Sequence, residues 1–214
     1  MRRRWVGLLA GVSLAALVGL AVSQKAQFVV GGALVDAGYR MQDRLARFDF
    51  QHTGHDMSAS AVWQEFMRQN DLASGVRGVF PRSSYHPVVA MVACMDARLD
   101  TNEVTGDTRR YYYILRTAGS VLSPREEEML ELAVRGGVRL VVFTTHTDCA
   151  AERAAGDPAQ RALYPQLSAG VDEREARIRE FMARPAIAER VRRGELMVRR
   201  ALIHTETGRL TPRS

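Results

Sequence analysis

The segment Cys94-Met95-Asp96-Ala97-Arg98 ends one short apolar run, and His146-Thr147-Asp148-Cys149 ends another. Together they offer two thiols, an imidazole, a carboxylate and a guanidinium. Two cysteines and a histidine form a borderline-soft donor set suited to Zn²⁺. The chain has 2 cysteines, and both fall inside this pattern. A structural zinc site usually draws four Cys/His ligands. Three, with a carboxylate nearby, point to a site with an exchangeable fourth position. A lone buried cysteine is more often a small core residue than a ligand. It is the pairing of the two motifs that carries the metal reading. Its rival is a Cys94–Cys149 disulfide, which depends on the redox compartment.

The local sequence explains how these residues could meet. Val88 to Ala93 is a continuous apolar run ending at Cys94, and Val138 to Thr145 is a β-rich run ending at His146. Runs without strict alternation read as strands buried on both faces of a parallel sheet. Ser123-Pro124-Arg125-Glu126 supplies an N-cap, a proline at N1 and a glutamate at N3. Met129, Leu130, Ala133 and Val134 then form an apolar stripe, and Gly136-Gly137 stops the helix. Strand, helix and strand imply a parallel βαβ unit, in which ligands bind beyond the carboxyl ends of the strands. Cys94 and His146 occupy such ends. Cys149 is expected in the following turn or first helical turn, where the helix dipole favours a thiolate.

At these residues the chain resembles the β-class carbonic anhydrases. That family carries C-x-D-x-R after its first core strand, H-x-x-C after a later one, and R-N-A-G between them. The matching segment here is Arg116-Thr117-Ala118-Gly119-Ser120. Residues 63–70 resemble the family's N-terminal helix, and residues 201–210 its last strand and turn. The resemblance thus runs from about residue 60 to the C-terminus. Thr117 stands for the usual asparagine, Thr145 precedes the histidine where glycine is common, and Ala150 follows Cys149 where glycine is common.

The resemblance implies an α/β fold with a central, mostly parallel sheet flanked by helices. It implies Zn²⁺ held by Cys94, His146 and Cys149, and reversible hydration of CO₂ to bicarbonate by a zinc-bound hydroxide. It casts Asp96 as the acceptor that orients the hydroxide. Arg98 is the partner that holds Asp96 off the metal through a bidentate ion pair. In some members the aspartate swings onto zinc and closes the site. A homodimer or higher homo-oligomer is implied as well. Two other readings keep the motifs: hydrolysis of another heteroallene such as COS or CS₂, and a membrane-tethered bicarbonate-binding module with little turnover.

The chain has 214 residues and a formal net charge of +6. Its length suits one α/β domain with a real core. Of its basic residues only Lys25 is a lysine. No nucleic-acid motif or aromatic–basic platform accompanies this basicity, so nucleic acid is not expected as a partner. Much of the charge falls in mixed helical patterns. Glu173/Arg177 and Glu175/Arg179 are spaced for i,i+4 pairs.

Residues 1–23 carry a second signal. Arg2-Arg3-Arg4 precede an apolar run from Trp5 to Val22, interrupted only by Ser13. This reads as a cleaved secretory signal or a membrane anchor through residues 5–22. Ala21-Val22-Ser23 offers a cleavage site. Either way the domain is expected on the periplasmic or extracytoplasmic side, secreted or held at the inner membrane. Residues 24–57 are expected to form a linker or arm with Gly31-Gly32 and Gly54 as breakers, followed by the carbonic-anhydrase-like zinc domain over 58–214. His52 and His55 mimic a metal pair but sit in a Gly/Thr-rich linker without soft partners. Residues 75–84 read as a loop, and 150–170 lack strong periodicity. Residues 172–193 read as helix interrupted near Pro185.

Overall fold

A computed structural model describes residues 19, 23–45, 58–79, 86–106 and 108–213. The chain divides into two compact units, Met1–Arg82 and Ser83–Ser214. The expected signal or anchor, apart from Gly19 and Ser23, lies outside the described residues, as do His52, His55 and Gly54. Among the described residues no helix is long and apolar enough to cross a membrane.

The first unit contributes helices α1 (Gln24–Leu45) and α2 (Ala59–Val79). The hydroxyl of Ser23 accepts the Ala26 N–H at 3.2 Å, and that of Ser58 accepts the Ala61 N–H at 3.2 Å, so each helix opens on a serine cap. Gly31-Gly32 do not break α1, and Gly75 lies inside α2 rather than in a loop. Isolated glycines weaken a helix without forbidding it.

The second unit is a five-stranded sheet in the order β2-β1-β3-β4-β5. The strands are β1 (Val89–Cys94), β2 (Tyr112–Thr117), β3 (Leu140–His146), β4 (Met197–His204) and β5 (Arg209–Arg213). The first four are mutually parallel, and β5 returns antiparallel to β4. Two short helices, α3 (Thr101–Thr105) and α4 (Thr108–Tyr111), link β1 to β2. Helix α5 (Pro124–Arg135) crosses over to β3 from its Ser123 cap, with the Ser123 N–H donating to Glu126 Oε2 at 2.7 Å. Gly136 closes it.

Beyond β3 the chain is helical where weak periodicity suggests irregular structure. Helices α6 (Ala150–Gly156), α7 (Pro158–Leu163), α8 (Pro165–Ala183) and α9 (Pro185–Arg192) follow in close succession. Prolines at the N-termini of α7, α8 and α9 begin helices rather than break them. Asp157 caps α7 by accepting the Ala159 N–H at 2.8 Å.

Alternation along β1 sends Ala90 and Val92 to one face and Met91 and Ala93 to the other. The first pair packs with Leu130 and Val134 of α5, Phe181 of α8 and Ile187 of α9. Phe143 meets Phe181 edge-on, with ring centroids 5.8 Å apart. The second pair packs with Cys94, Leu99, Cys149, Ala151 and Ile203. The sulfur-bearing residues therefore belong to the smaller cluster, at the carboxyl ends of β1 and β3. Of the two expected helical ion pairs, Glu173–Arg177 forms at 3.2 Å. Glu175 instead reaches Arg200 on β4 at 2.9 Å.

Candidate metal centre

The backbone of β1 ends at Cys94 and turns at once. Met95 N–H donates to Thr117 O at 3.1 Å, and Leu99 N–H to Asp96 O at 3.0 Å. Leu99, 3% exposed, anchors that turn in the smaller cluster. On the other side His146 ends β3, and Cys149 caps α6 with extended backbone angles. Cys94, His146 and Cys149 are 5%, 3% and 3% exposed. One ligand atom from each lies within 4.8 Å of the others, a group able to hold a metal ion.

The histidine is oriented for that task. Its Nδ1 lies 3.0 Å from Thr147 O and 3.2 Å from Thr205 Oγ1. A carbonyl only accepts, so Nδ1 carries the proton. Thr205 is itself held: its hydroxyl donates to Thr147 O at 2.6 Å, and its N–H donates to Thr147 Oγ1 at 2.9 Å. Nε2 is buried and without a hydrogen-bond partner. A buried, unsatisfied ring nitrogen costs stability unless something coordinates it.

The sulfurs carry the same message. Cys94 Sγ and Cys149 Sγ are 3.9 Å apart. The Cys149 thiol beside it pulls Cys94 well below the usual thiol range, against the effect of burial. That same contact, together with burial, pushes Cys149 up. The pair thus shares one negative charge, and a dication would let both become thiolates. An orphaned imidazole nitrogen and two adjacent sulfurs fit Zn²⁺.

Asp96 and Arg98 stand over this group. Arg98 Nε donates to Asp96 Oδ1 at 3.0 Å and Nη2 to Oδ2 at 2.7 Å, a bidentate pair. The Arg98 backbone N–H adds a 3.0 Å bond to Oδ1. These bonds hold the Asp96 carboxyl far below the usual carboxylate range. Asp96 Oδ2 lies 4.0 Å from His146 Nε2. Its side chain is 11% exposed against 47% for Arg98, so the dyad runs from the buried donors toward solvent.

Three supporting groups stand beside the donors and the dyad. Arg116, at the end of β2, donates through Nε to Cys94 O at 3.2 Å and through Nη2 to Asp96 O at 2.6 Å. It ties the donor and dyad backbones together. Thr205 orients the imidazole, as above. Gly119 has φ +61, and a Cβ there would meet Val171 at 3.0 Å, so a side chain would be strained and crowded there. Its backbone N–H is among the donors that lower Cys94, and its carbonyl accepts from Arg174 Nη1 at 2.9 Å. Arg116 and Gly119 lie in the R-x-A-G segment marked in the sequence, which by itself gives neither residue a role. Thr205 is given none either, since its partners lie 58 and 59 residues away.

Comparison with known proteins places this arrangement. The family model described as carbonic anhydrase matches residues 89–176. Beta-carbonic anhydrase 1 of Mycobacterium tuberculosis and its counterpart in Mycobacterium bovis are each 34% identical over 108 residues. Those matches cover 49% of this chain and 65% of the relatives, so the chain spans slightly less than two thirds of their length. Among solved structures, one of two tetrameric beta-carbonic anhydrases from Sordaria macrospora superposes with a TM-score of 0.54 at 19% identity, covering 71% of this chain and 96% of its own. The carbonic anhydrase of Streptococcus mutans gives 0.53 at 22% identity, with 73% and 98% covered. The structural likenesses establish the fold. The sequence matches, over the strands and turns that carry the motifs, make the chain similar to the β-class carbonic anhydrases.

Proposed function

We propose that this protein hydrates CO₂ reversibly to bicarbonate, with Zn²⁺ held by Cys94 Sγ, His146 Nε2 and Cys149 Sγ. The observation that carries the reading is the His146 ring: Nδ1 is committed to Thr147 and Thr205, and Nε2 is buried, unpartnered and gathered with two sulfurs. Zinc in such a site supplies a Lewis acid that makes hydroxide available from water at neutral pH.

The chain's own residues do the rest. Asp96 is kept ionised by Arg98, so it can only accept hydrogen bonds. Oδ2, the oxygen nearer His146 Nε2, has one donor from Arg98 and a lone pair to spare for the reacting water. Arg98 holds that carboxylate back from the donors. Arg116 fixes the backbone on which Cys94 and Asp96 both ride. Burial of the three donors excludes bulk water and strengthens the local electrostatics.

The zinc-loaded full chain should speed CO₂ hydration in a stopped-flow indicator assay, and Cys94→Ser should lose both the metal and the rate. A fully zinc-loaded protein with no rate above buffer would sink the reading. We place the domain outside the cytoplasm as a homo-oligomer, supported by the Arg2-Arg3-Arg4 and Trp5–Val22 pattern for the first point. A reporter fused after Ser214 should be active only in the extracytoplasmic compartment, and sizing by light scattering should exceed one chain. Cytoplasmic reporter activity would reject the location, and a monomer would reject the assembly.

A further inference from the structure

Asp148 sits between His146 and Cys149 with φ +59, a left-handed conformation that Asp and Asn adopt more readily than most residues. Both its carboxylate and its carbonyl are engaged. Arg98 Nη1 donates to Asp148 Oδ2 at 2.9 Å, and Arg98 Nη2 to Asp148 O at 2.9 Å. Arg153 Nη1 donates to the same carbonyl at 2.9 Å and to Oδ1. The opposite edge of the Arg98 guanidinium faces Asp96. Arg98 is therefore clasped between two carboxylates, one from each metal-donor segment.

We propose that Asp148 is a positioning residue that acts through Arg98 to hold Asp96 back from the metal donors and in a fixed orientation. This deepens the function proposed above and rests on it. Asp96 Oδ2 is 4.0 Å from His146 Nε2, close enough to reach the donor group if its restraint slackens. Arg98 is that restraint, yet its side chain is 47% exposed. A single exposed ion pair fixes a long side chain poorly. Asp148 supplies two acceptors on the far edge, and Arg153 holds Asp148 in turn. The planar fork, bonded on both edges, cannot rotate without breaking bonds at each. The clasp also joins the turn after β1 to the turn after β3, so the dyad is set relative to all three donors.

Two variants test this on the zinc-loaded full chain. Asp148→Asn keeps the shape and tolerates the positive φ while removing the charge. Asp148→Gly keeps the backbone conformation and removes the side chain. Zinc content, kcat and KM for CO₂ hydration, and ¹⁵N-arginine spectra are measured. The Arg98 signals are assigned by their loss in Arg98→Lys. In both variants zinc stoichiometry and KM should match the wild type, and kcat should fall about tenfold. The separate Arg98 Nη proton signals should merge as the guanidinium begins to rotate. Arg98 signals unchanged in both variants would overturn the proposal whatever the rates do. A parallel loss of zinc and kcat with Arg98 still restrained would assign Asp148 to the turn alone and overturn it as well. A wild type that does not hydrate CO₂ would refute the proposed function, while the Arg98 signals would still decide the positioning role.

Discussion

Nδ1 of His146 is bound by Thr147 O and Thr205 Oγ1, and this decides which nitrogen faces the sulfurs. At the scale of single residues, the site is a set of such prior commitments. Cys94 shares its charge with Cys149, and Asp96 gives both oxygens to Arg98. Asp96→Asn removes the charge without removing the side chain. It should keep full zinc occupancy and lower the CO₂ hydration rate at least about 100-fold, since an amide has one acceptor oxygen and cannot take both the Arg98 bonds and a bond from the reacting water. A variant with the wild-type rate would make the dyad purely structural. The donors and the dyad are legible in the sequence because each lies a fixed few positions from another. The roles of Arg116, Asp148 and Thr205 escape such a reading because their contacts to Asp96, Arg98 and His146 span 20, 50 and 59 residues.

At the scale of elements, β1, β3 and α5 are legible in the sequence alone. Apolar runs mark the strands, and Ser123, Pro124 and Glu126 mark the helix start. Residues 150–170 are not, because each of α6 and α7 is too short to show a helical period. The Asp157-Pro158 pair is the overlooked signal for α7. Helices α5 and α9 are joined by Glu131, which accepts from Arg184 Nε at 2.5 Å and from Arg135 Nη2 at 2.8 Å. Those bonds, Arg184 first, hold the Glu131 carboxyl below the ordinary glutamate range. A lowered acid pKa contributes stability above the unfolded value and loses it as pH falls through the folded one. Glu131→Gln should therefore lower the urea midpoint at pH 7 by on the order of a few tenths molar. That gap should close below about pH 4. A gap that stayed constant down to pH 3 would remove Glu131 from the acid response.

At the scale of the whole molecule, compartment and chemistry meet in the two sulfurs. Outside the cytoplasm, where the domain is proposed to lie, disulfides form readily, and these thiols stand 3.9 Å apart. A shift of about 2 Å would bring them to bonding distance. Zinc-loaded protein should resist thiol alkylation. Zinc-stripped protein treated with a disulfide oxidant such as oxidised glutathione should form an intramolecular Cys94–Cys149 bond, each thiol giving up its hydrogen to the reduced oxidant. It should then fail to rebind zinc until reduced. Intact mass of both forms checks this, and a disulfide in freshly isolated, active protein would contradict the metal assignment.

The pairing of β1 with β3 runs from Val89 opposite Leu140 to Val92 opposite Phe143, and the donors follow just beyond it. A slip of one residue would turn every β1 side chain to the other face and carry Cys94 away from His146 and Cys149. Joining these strands means closing the loop made by residues 95–139, the slow and error-prone part of building a parallel sheet. Only a chain that has completed this step in the native alignment gathers the three soft donors. The alignment of two strands far apart in the chain is thereby a precondition of the donor set, and a chain out of register would keep its two sulfurs apart.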